Sequence, residues 1–334
     1  MTSLKPLLRT LAGQAQPSPP IWFMRQAGRH LPEYRETRAK VGEFLNLVMS
    51  PQQACEVTLQ PVRRYELDGA ILFSDILVIP LALGQDLWFE TGEGPKLGPL
   101  PKALHLDLGV LAPISQTLKN IRNELKGTHV TTIGFVGAPW TVATYMLEQG
   151  KPRFRTSRAF LETQQAASLF DTLIQATIVY AKAQISAGAE VIKIFDSWAM
   201  KLPDEAAFRR WSLGPMVEIA EALAPTPIIF FPRGCASSVS LFERALDRPF
   251  GFAVGEQDDL ARVRMLAGSK VCLQGNLSPQ ALLGSIKDQE GAVADILTIM
   301  HGTPHIFNLG HGIDKMTDPA RVQALVDQVR AASL

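Results

Sequence analysis

This sequence of 334 residues has few cysteines and almost no net charge. None of the three cysteines, Cys55, Cys235 and Cys272, stands in a CxxC or HxC pair. A disulfide framework is therefore excluded, and a reducing compartment, the cytoplasm, is expected. The 33 Lys and Arg residues nearly balance the 32 Asp and Glu residues, which leaves a net charge of +1. Since nucleic-acid-binding proteins usually carry a basic excess, we expect no nucleic-acid partner, and positive charge for any anionic ligand must be local.

Long uninterrupted apolar runs are also missing. The most apolar stretch, residues 69–84, contains Asp75 and Pro80, which make it too short and too interrupted to cross a bilayer. Lys5 and Arg9 interrupt the apolar residues at the N-terminus, so no signal peptide is expected. We therefore expect no membrane association.

The sequence does contain short apolar runs bounded by turn residues. There are eight, at residues 20–24, 69–73, 130–136, 189–195, 227–231, 250–254, 270–274 and 305–309. Most are continuous rather than alternating, which is typical of strands buried on both faces of a parallel sheet.

Segments with the marks of helices lie between these runs. Three pairs place an N-cap residue before a proline at the first helical position: Ser50-Pro51, Ser278-Pro279 and Asp318-Pro319. The last pair precedes Val322, Leu325, Val326 and Val329, which follow the spacing of one buried helix face. Strand and helix thus alternate along the chain.

This alternation predicts an α/β fold, a (β/α)8 TIM barrel that forms a single domain over residues 1–334. A short N-terminal extension precedes the first strand near residue 20. An open, doubly wound sheet is the alternative. The barrel is favoured because polar and glycine-containing segments follow every strand, and a barrel brings all of these segments to one rim, where catalytic residues of that fold lie.

Four arginines follow the first predicted strand. Arginine binds a carboxylate through two parallel hydrogen bonds, so Arg25 and Arg29, directly at the strand end, are candidate ligands for an acidic substrate. Gly28 between them allows the backbone to approach a ligand closely. Arg35 and Arg38 are better explained as surface residues that pair with neighbouring glutamates.

Asp75 lies within the most apolar stretch of the chain. An ionised carboxylate there must find hydrogen-bond donors, because its burial otherwise costs several kcal/mol. Two interpretations stay open. Asp75 accepts bonds from a turn or an arginine, or it receives ligand N–H groups and stabilises a developing cation.

Four further residues have both a functional and a structural interpretation. Tyr145 is a ligand contact or a packed helix residue, and Ser197 is a donor to a ligand carboxylate or an N-cap. His311, between two glycines, is a ligand donor, a proton relay or a histidine bonded to a backbone carbonyl. Lys193 as a Schiff-base lysine is disfavoured, because no phosphate-binding glycine pattern accompanies it. The six histidines form no HxxxH or HxC pair, so no metal site is predicted.

Seven segments in order along residues 19–330 resemble the uroporphyrinogen decarboxylase family: RQAGRHLPEYRETR, LQPVRRYELDGAILFSDILVIPLALG, GFVGAPWTVATYMLEQG, FDSWA, FPRG, QGNLSP and FNLGHGI. The resemblance implies a (β/α)8 barrel, a homodimer, cytoplasmic haem and porphyrin biosynthesis, and no metal or organic cofactor. It also implies loss of carbon dioxide from the four acetate side chains of uroporphyrinogen III, to give coproporphyrinogen III.

By position, the resemblance implies substrate contacts from Arg25, Gln26, Ala27, Gly28, Arg29, Asp75, Tyr145, Ser197 and His311. Asp75, Arg25 and Arg29 are the catalytic candidates. A protonated pyrrole serves as the electron sink, and Asp75 offsets its charge. The proton donor stays unassigned among Arg25, Arg29, a substrate carboxylate and a bound water.

Two positions depart from the family pattern, Met200 after FDSWA and Cys235-Ala236 after FPRG. Two other functions stay open. A related barrel methyltransferase needs thiolate and histidine zinc ligands, for which this chain has no HxC pair. A tetrapyrrole carrier needs the arginines for binding but does not turn the ligand over.

Overall fold

The structure is a computed structural model that describes residues 4–90 and 93–332. The strands in this part of the chain are β1 (Gly69–Ile71), β2 (Leu87–Glu90), β3 (Gly94–Leu97), β4 (Thr131–Gly137), β5 (Val191–Asp196), β6 (Ile228–Pro232), β7 (Phe250–Ala253), β8 (Val271–Gln274) and β9 (His305–Ile306). Seven of them form one parallel sheet in the order β1-β4-β5-β6-β7-β8-β9, and β2 pairs with β3 in an antiparallel hairpin.

The segment at residues 20–22 closes this sheet into a barrel. On one side, Phe307 N donates to Pro20 O at 2.9 Å, and Ile21 and Phe307 form a parallel bridge. On the other side, Asp68 N donates to Ile21 O at 2.8 Å. The first predicted strand is thus the eighth member of the barrel. It is not a regular strand, because Ile21 N is bonded to the Asp68 side chain, at 2.8 Å, instead of a neighbouring carbonyl.

Barrel closure confirms the predicted fold class and excludes the open sheet. All residues of β4 and β6 are buried, as their continuous apolar sequences predict. On the outer face of β6, Phe230 packs on Phe242 and Phe250, with ring centroids 4.7 and 5.6 Å apart. Burial of each such ring contributes about 1.5–3 kcal/mol, so packing of strand against helix supports the rim where the site lies.

The α-helices of the described residues are α1 (Pro6–Leu11), α2 (Pro32–Val41), α3 (Phe44–Val48), α4 (Pro51–Tyr65), α5 (Val78–Ala82), α6 (Ala112–Glu124), α7 (Pro139–Leu147), α8 (Arg155–Leu161), α9 (Gln165–Ala187), α10 (Glu205–Phe208), α11 (Gly214–Ala222), α12 (Val239–Ala245), α13 (Leu260–Leu266), α14 (Ile286–Ile299) and α15 (Pro319–Ala331). A π-helical segment, Arg209–Leu213, joins α10 to α11. Within the described ranges, no helix combines the length and apolar character needed to span a membrane.

The predicted helix starts have three outcomes. Asp318 caps α15 by accepting from Ala320 N at 2.9 Å, and the four predicted valine and leucine positions are buried. Ser278 accepts from Gln280 N, but the element that follows is a short 3-10 helix, Pro279–Leu282. α4 begins at Pro51 as predicted, yet the Ser50 side chain makes no capping bond.

The hairpin of β2 and β3 was not predicted from the sequence. It follows α5, and its register pairs Leu87 with Leu97. Gln85 Nε2 secures its base by donating to Gly98 O at 2.8 Å and to Met146 O at 3.1 Å. Phe89 contacts Phe44 of α3, with ring centroids 4.6 Å apart. The hairpin therefore lies beside the barrel and adds no strand to it.

Candidate active site

The segments that follow the parallel strands all lie at the carboxyl end of the barrel. Asp75 lies just beyond β1, Tyr145 lies on α7 after β4, and Ser197 follows β5. Arg233 follows β6, and His311 lies beyond β9. In this fold the carboxyl end carries the catalytic groups, so these side chains define the candidate site.

Asp75 has one hydrogen-bond donor from the protein. Leu77 N donates to Asp75 Oδ1 at 2.8 Å, and Oδ2 has no partner in the described residues. Burial raises the pKa of the carboxyl to about 6, although the Leu77 bond and the positive charge of Arg25 oppose the shift. The turn that the sequence suggested is present, but it uses one oxygen only. Asp75 therefore keeps an open acceptor position beside a cation.

Arg25 has a backbone conformation that is uncommon for a residue with a side chain, with φ of +58°. Its side chain lies across Gly312, where an added Cβ would clash with the arginine Cδ. No carboxylate of the described residues forms an ion pair with it. Arg25 is exposed, and its charge is unpaired within the described residues, as a site for an anionic ligand requires.

Gln26 holds this turn in place. Its Oε1 accepts from Phe23 N, and its Nε2 donates to Gly69 O, both at 3.0 Å. The side chain is completely buried. Because both ends of the amide are bonded to the backbone, the Gln26 side chain supports the turn that carries Arg25, and its substrate contact stays a prediction.

The turn continues through Ala27 and Gly28 to Arg29. A Cβ on Gly28 would lie 3.0 Å from Arg25 O, which explains the glycine, and Ala27 is half-buried beside it. Arg29 is exposed and makes no ion pair in the described residues. Its charge, like that of Arg38, lowers the pKa of Tyr34 against the larger raising effect of burial.

The surface pairing expected for the neighbouring glutamates involves a different arginine. Glu33 binds Arg64 through two hydrogen bonds, Nε to Oε1 at 2.7 Å and Nη2 to Oε2 at 2.8 Å. Arg35 is exposed and forms no ion pair in the described chain. The sequence could not show this pairing, because α2 and α4 meet only in the folded protein.

The pKa of Tyr145 responds to the charges of three other residues on the rim, Asp75, Arg25 and Arg233. Burial is the main cause that raises the pKa of its hydroxyl, and Asp75 adds to the effect. The Trp198 indole N–H, Arg25 and Arg233 lower it without reversing the shift. Tyr145 therefore stays a neutral donor, and its ring lies 6.2 Å from that of Trp198.

His311 is neutral at physiological pH. Burial is the main cause that lowers its pKa to about 4, the charges of Arg233 and Arg25 contribute in that order, and a hydrogen bond to the Gly312 backbone opposes the shift. The neutral ring disfavours the proton-relay interpretation. The bond to Gly312 agrees with a histidine bonded to a backbone carbonyl, and the ligand-donor interpretation stays a prediction. Its two glycines have a packing reason, since a Cβ on Gly310 would lie 2.2 Å from Glu256 N.

Ser197 lies on the same rim, and its hydroxyl has no hydrogen bond to the described residues. The residue before it is better connected. Asp196 accepts from the hydroxyls of Thr141 and Ser212, both at 2.6 Å. Trp198 N in turn donates to Thr141 Oγ1 at 3.1 Å. This buried network fixes the turn that carries Ser197.

Lys193 points into the barrel and takes no part in the cleft. It is completely buried, and its Nζ lies over the rings of Trp22, Phe195 and Phe231 at 5.2–5.3 Å. Desolvation holds its pKa well below the usual range. Phe195 occupies the next inward position of β5, so an aromatic ring covers the amine on its rim side.

Arg233 lies on the same rim and was not among the site residues predicted from the sequence. It was noted only as part of the segment after β6, yet its charge acts on both Tyr145 and His311. The sequence Pro-Arg-Gly is also typical of ordinary turns, so it did not by itself indicate a ligand-binding arginine. The described residues contain no cluster of three or more His, Cys, Asp or Glu side chains placed to hold a metal.

Comparison with known proteins identifies the family. Residues 2–332 match the family described as Uroporphyrinogen decarboxylase (URO-D). The chain belongs to the uroporphyrinogen decarboxylase family. A uroporphyrinogen decarboxylase of Roseobacter denitrificans is 44% identical over 349 aligned residues that cover 99% of each chain. That of Ruegeria pomeroyi is 45% identical over 354 residues, again 99% of each chain.

Solved structures support the barrel fold. A methyltransferase from Methanosarcina mazei has a TM-score of 0.81, covers 100% of both chains and is 22% identical. A putative vitamin-B12-independent methionine synthase from Listeria monocytogenes has a TM-score of 0.54, covers 94% of this chain and 96% of its own, and is 13% identical. At these identities the likeness concerns the barrel alone.

Proposed function

We propose that this protein converts uroporphyrinogen III to coproporphyrinogen III by removing its four acetate carboxylates as carbon dioxide. One observation carries this proposal. Asp75, a carboxylate with one open oxygen, lies on the same rim as arginines that form no ion pair within the described residues. The substrate has the matching groups. It carries pyrrole N–H donors at its centre and eight carboxylates at its edge.

Each decarboxylation needs an acceptor for the electron pair of the broken bond. Protonation of a pyrrole carbon makes the ring a cation, and cleavage of the bond to the carboxylate returns the electron pair to the ring as carbon dioxide leaves. The methylene carbon then takes a proton and becomes a methyl group, while the ring loses its added proton. One proton is consumed for each carbon dioxide, and no external oxidant or reductant is needed.

The side chains of the site suit these steps. The open Oδ2 of Asp75 accepts pyrrole N–H bonds and stabilises the ring cation. This charge interaction is stronger in a partly dehydrated site than in water. Arg25 and Arg29 bind edge carboxylates, and Tyr145, Ser197 and neutral His311 supply uncharged donors. Because His311 is neutral in the free protein, it does not serve as the initial acid.

We further propose that the protein acts as a homodimer in the cytoplasm, without a metal or organic cofactor, as its place in porphyrin biosynthesis suggests. Light scattering after size exclusion then gives twice the chain mass of 36.6 kDa. A mass of one chain at micromolar concentration would contradict the proposed dimer, but it would not contradict the proposed activity.

The activity is tested by anaerobic incubation with uroporphyrinogen III, followed by oxidation and separation of the porphyrins by carboxyl number. We expect intermediates with seven, six and five carboxylates and an end product with four. If the substrate binds but is recovered unchanged, the protein is a tetrapyrrole carrier. Stoichiometric zinc in the purified protein would favour the methyltransferase alternative.

A further inference from the structure

Arg233 is held at the rim by contacts that do not involve its guanidinium group. Its backbone N–H donates to Asp196 O at 3.1 Å, which ties the end of β6 to the end of β5. Cys235 N donates to Pro232 O at 3.0 Å and closes a turn around Arg233 and Gly234. The position of the residue is therefore fixed by backbone bonds.

Met200 packs against this turn. Gly234 has a φ of +72°, and a Cβ added to it would lie 3.0 Å from Met200 Cβ and 3.1 Å from Met200 Cε. Met200, one departure from the family pattern, thus lies against Gly234, which precedes the other departure, Cys235-Ala236, in the chain. Their shared consequence is the geometry of the turn that presents Arg233.

The guanidinium group of Arg233 has no partner in the described part of the protein. It forms neither an ion pair nor a side-chain hydrogen bond there. The residue is half-buried, so its long side chain is not simply a solvated surface group. A partly dehydrated, unpaired guanidinium on a fixed backbone is well suited to bind a carboxylate.

The charges of Arg233 and Arg25 act on partly different residues of the candidate site. The charge of Arg233 lowers the pKa of His311 more than that of Arg25 does, and it also lowers the pKa of Tyr145. Among the charged groups, only Arg25 influences the pKa of Asp75. The charge of Arg233 thus acts on His311 and Tyr145, whereas the charge of Arg25 also acts on the Asp75 carboxylate proposed to meet the pyrrole N–H groups.

We propose that Arg233 is a substrate-binding residue that holds a carboxylate at the edge of the tetrapyrrole, in a position set by Met200 against Gly234. This inference rests on the proposed function for the identity of the ligand. It adds a third cationic contact at the carboxyl end of β6, separate from the arginines after the first strand. It makes Arg233 a determinant of substrate affinity and not of the chemical step.

The test compares Arg233→Met with Arg244→Met, which removes the same charge from an exposed, unpaired arginine at the C-terminal end of α12. Since a charge-assisted bond is lost, we expect Arg233→Met to raise KM for uroporphyrinogen III about 10- to 100-fold, with kcat within a fewfold of wild type. Arg233→Lys should recover part of the affinity. Arg244→Met should match wild type.

A second measurement separates a binding role from a structural one. The KM of wild type should rise with salt, and Arg233→Met should show a weaker salt dependence, because one ion pair is missing. Met200→Ala, which loosens the turn but keeps the arginine, should raise KM by a smaller factor. Unchanged KM and unchanged salt dependence in Arg233→Met, with normal turnover, would overturn the proposal.

Failure of the proposed function gives a different result. If wild type makes no product, the same variants are compared by the affinity for uroporphyrinogen III itself, followed by quenching of tryptophan fluorescence under anaerobic conditions. Weaker binding by Arg233→Met alone supports the carboxylate contact in a carrier. Equal binding by wild type and both methionine variants contradicts it.

Discussion

Asp75 and Asp196 lie at the ends of two barrel strands, and burial raises the pKa of each carboxyl to about 6. Their partners differ. Both oxygens of Asp196 accept hydroxyl bonds, at 2.6 Å from Thr141 and from Ser212. Asp75 has one backbone bond, and its other oxygen is open to the cleft. Asp196 is fully buried, whereas Asp75 is partly exposed. Similar pKa shifts thus accompany a role in the fold at Asp196 and an open acceptor at Asp75, and the count of satisfied oxygens distinguishes them.

Among substitutions that test this comparison, we expect the largest effect on activity at Asp75. Asp75→Asn keeps the shape but removes the charge that faces the ring cation, so we expect kcat to fall about 100- to 1,000-fold. Product formation by carboxyl number measures it, with circular dichroism to check the fold. Near-normal turnover would show that Asp75 is structural, as Asp196 is.

The pH dependence gives the next effect. Asp75 must be ionised to offset the cation, so its pKa of about 6 predicts an acidic limb in kcat/KM of about tenfold per pH unit below that value. Arg25 lowers this pKa, and therefore Arg25→Met should move the limb to higher pH. The residual activity of Asp75→Asn should lack the limb. An acidic limb that persists unchanged in Asp75→Asn would assign it to another group.

The smallest effect on activity is expected in the Asp196 network. Ser212→Ala removes one donor to a buried carboxylate, so we expect a loss of about 1–3 kcal/mol in the free energy of unfolding. Turnover at a temperature where the protein is folded should change by no more than a fewfold. Ser212→Thr is the conservative control in denaturant titrations. A large loss of kcat with normal stability would place Asp196 in the chemistry.

The sequence was sufficient for the barrel and for part of its rim. Arg25, Asp75 and His311 could be placed because each follows a recognisable apolar run, and strand ends converge in this fold. For Tyr145 and Ser197 the residues left a structural alternative open, and the family resemblance favoured the ligand contact. The substrate contacts of all five residues stay predictions.

Other features needed the folded chain. Ser212 meets Asp196 through the π-helical segment between α10 and α11, and no local pattern predicts that insertion. Arg233 gains its meaning from His311 and Tyr145, which are distant in sequence. The reason for the glycines beside His311 also appears only in the fold, where Gly310 allows close approach by the backbone of Glu256 and Gly312 by the side chain of Arg25.

The central claim is that the fold keeps a carboxylate incompletely satisfied at Asp75 for use by a ligand. The most direct test is the free energy of unfolding of Asp75→Asn and wild type as a function of pH. Because the folded pKa lies above the ordinary value of 3.8, ionisation costs stability above about pH 6, and Asp75→Asn should be more stable there by roughly 1–3 kcal/mol. The advantage should shrink as the pH falls below 6 and vanish below about 4. A variant less stable than wild type at pH 7.5 would contradict the account.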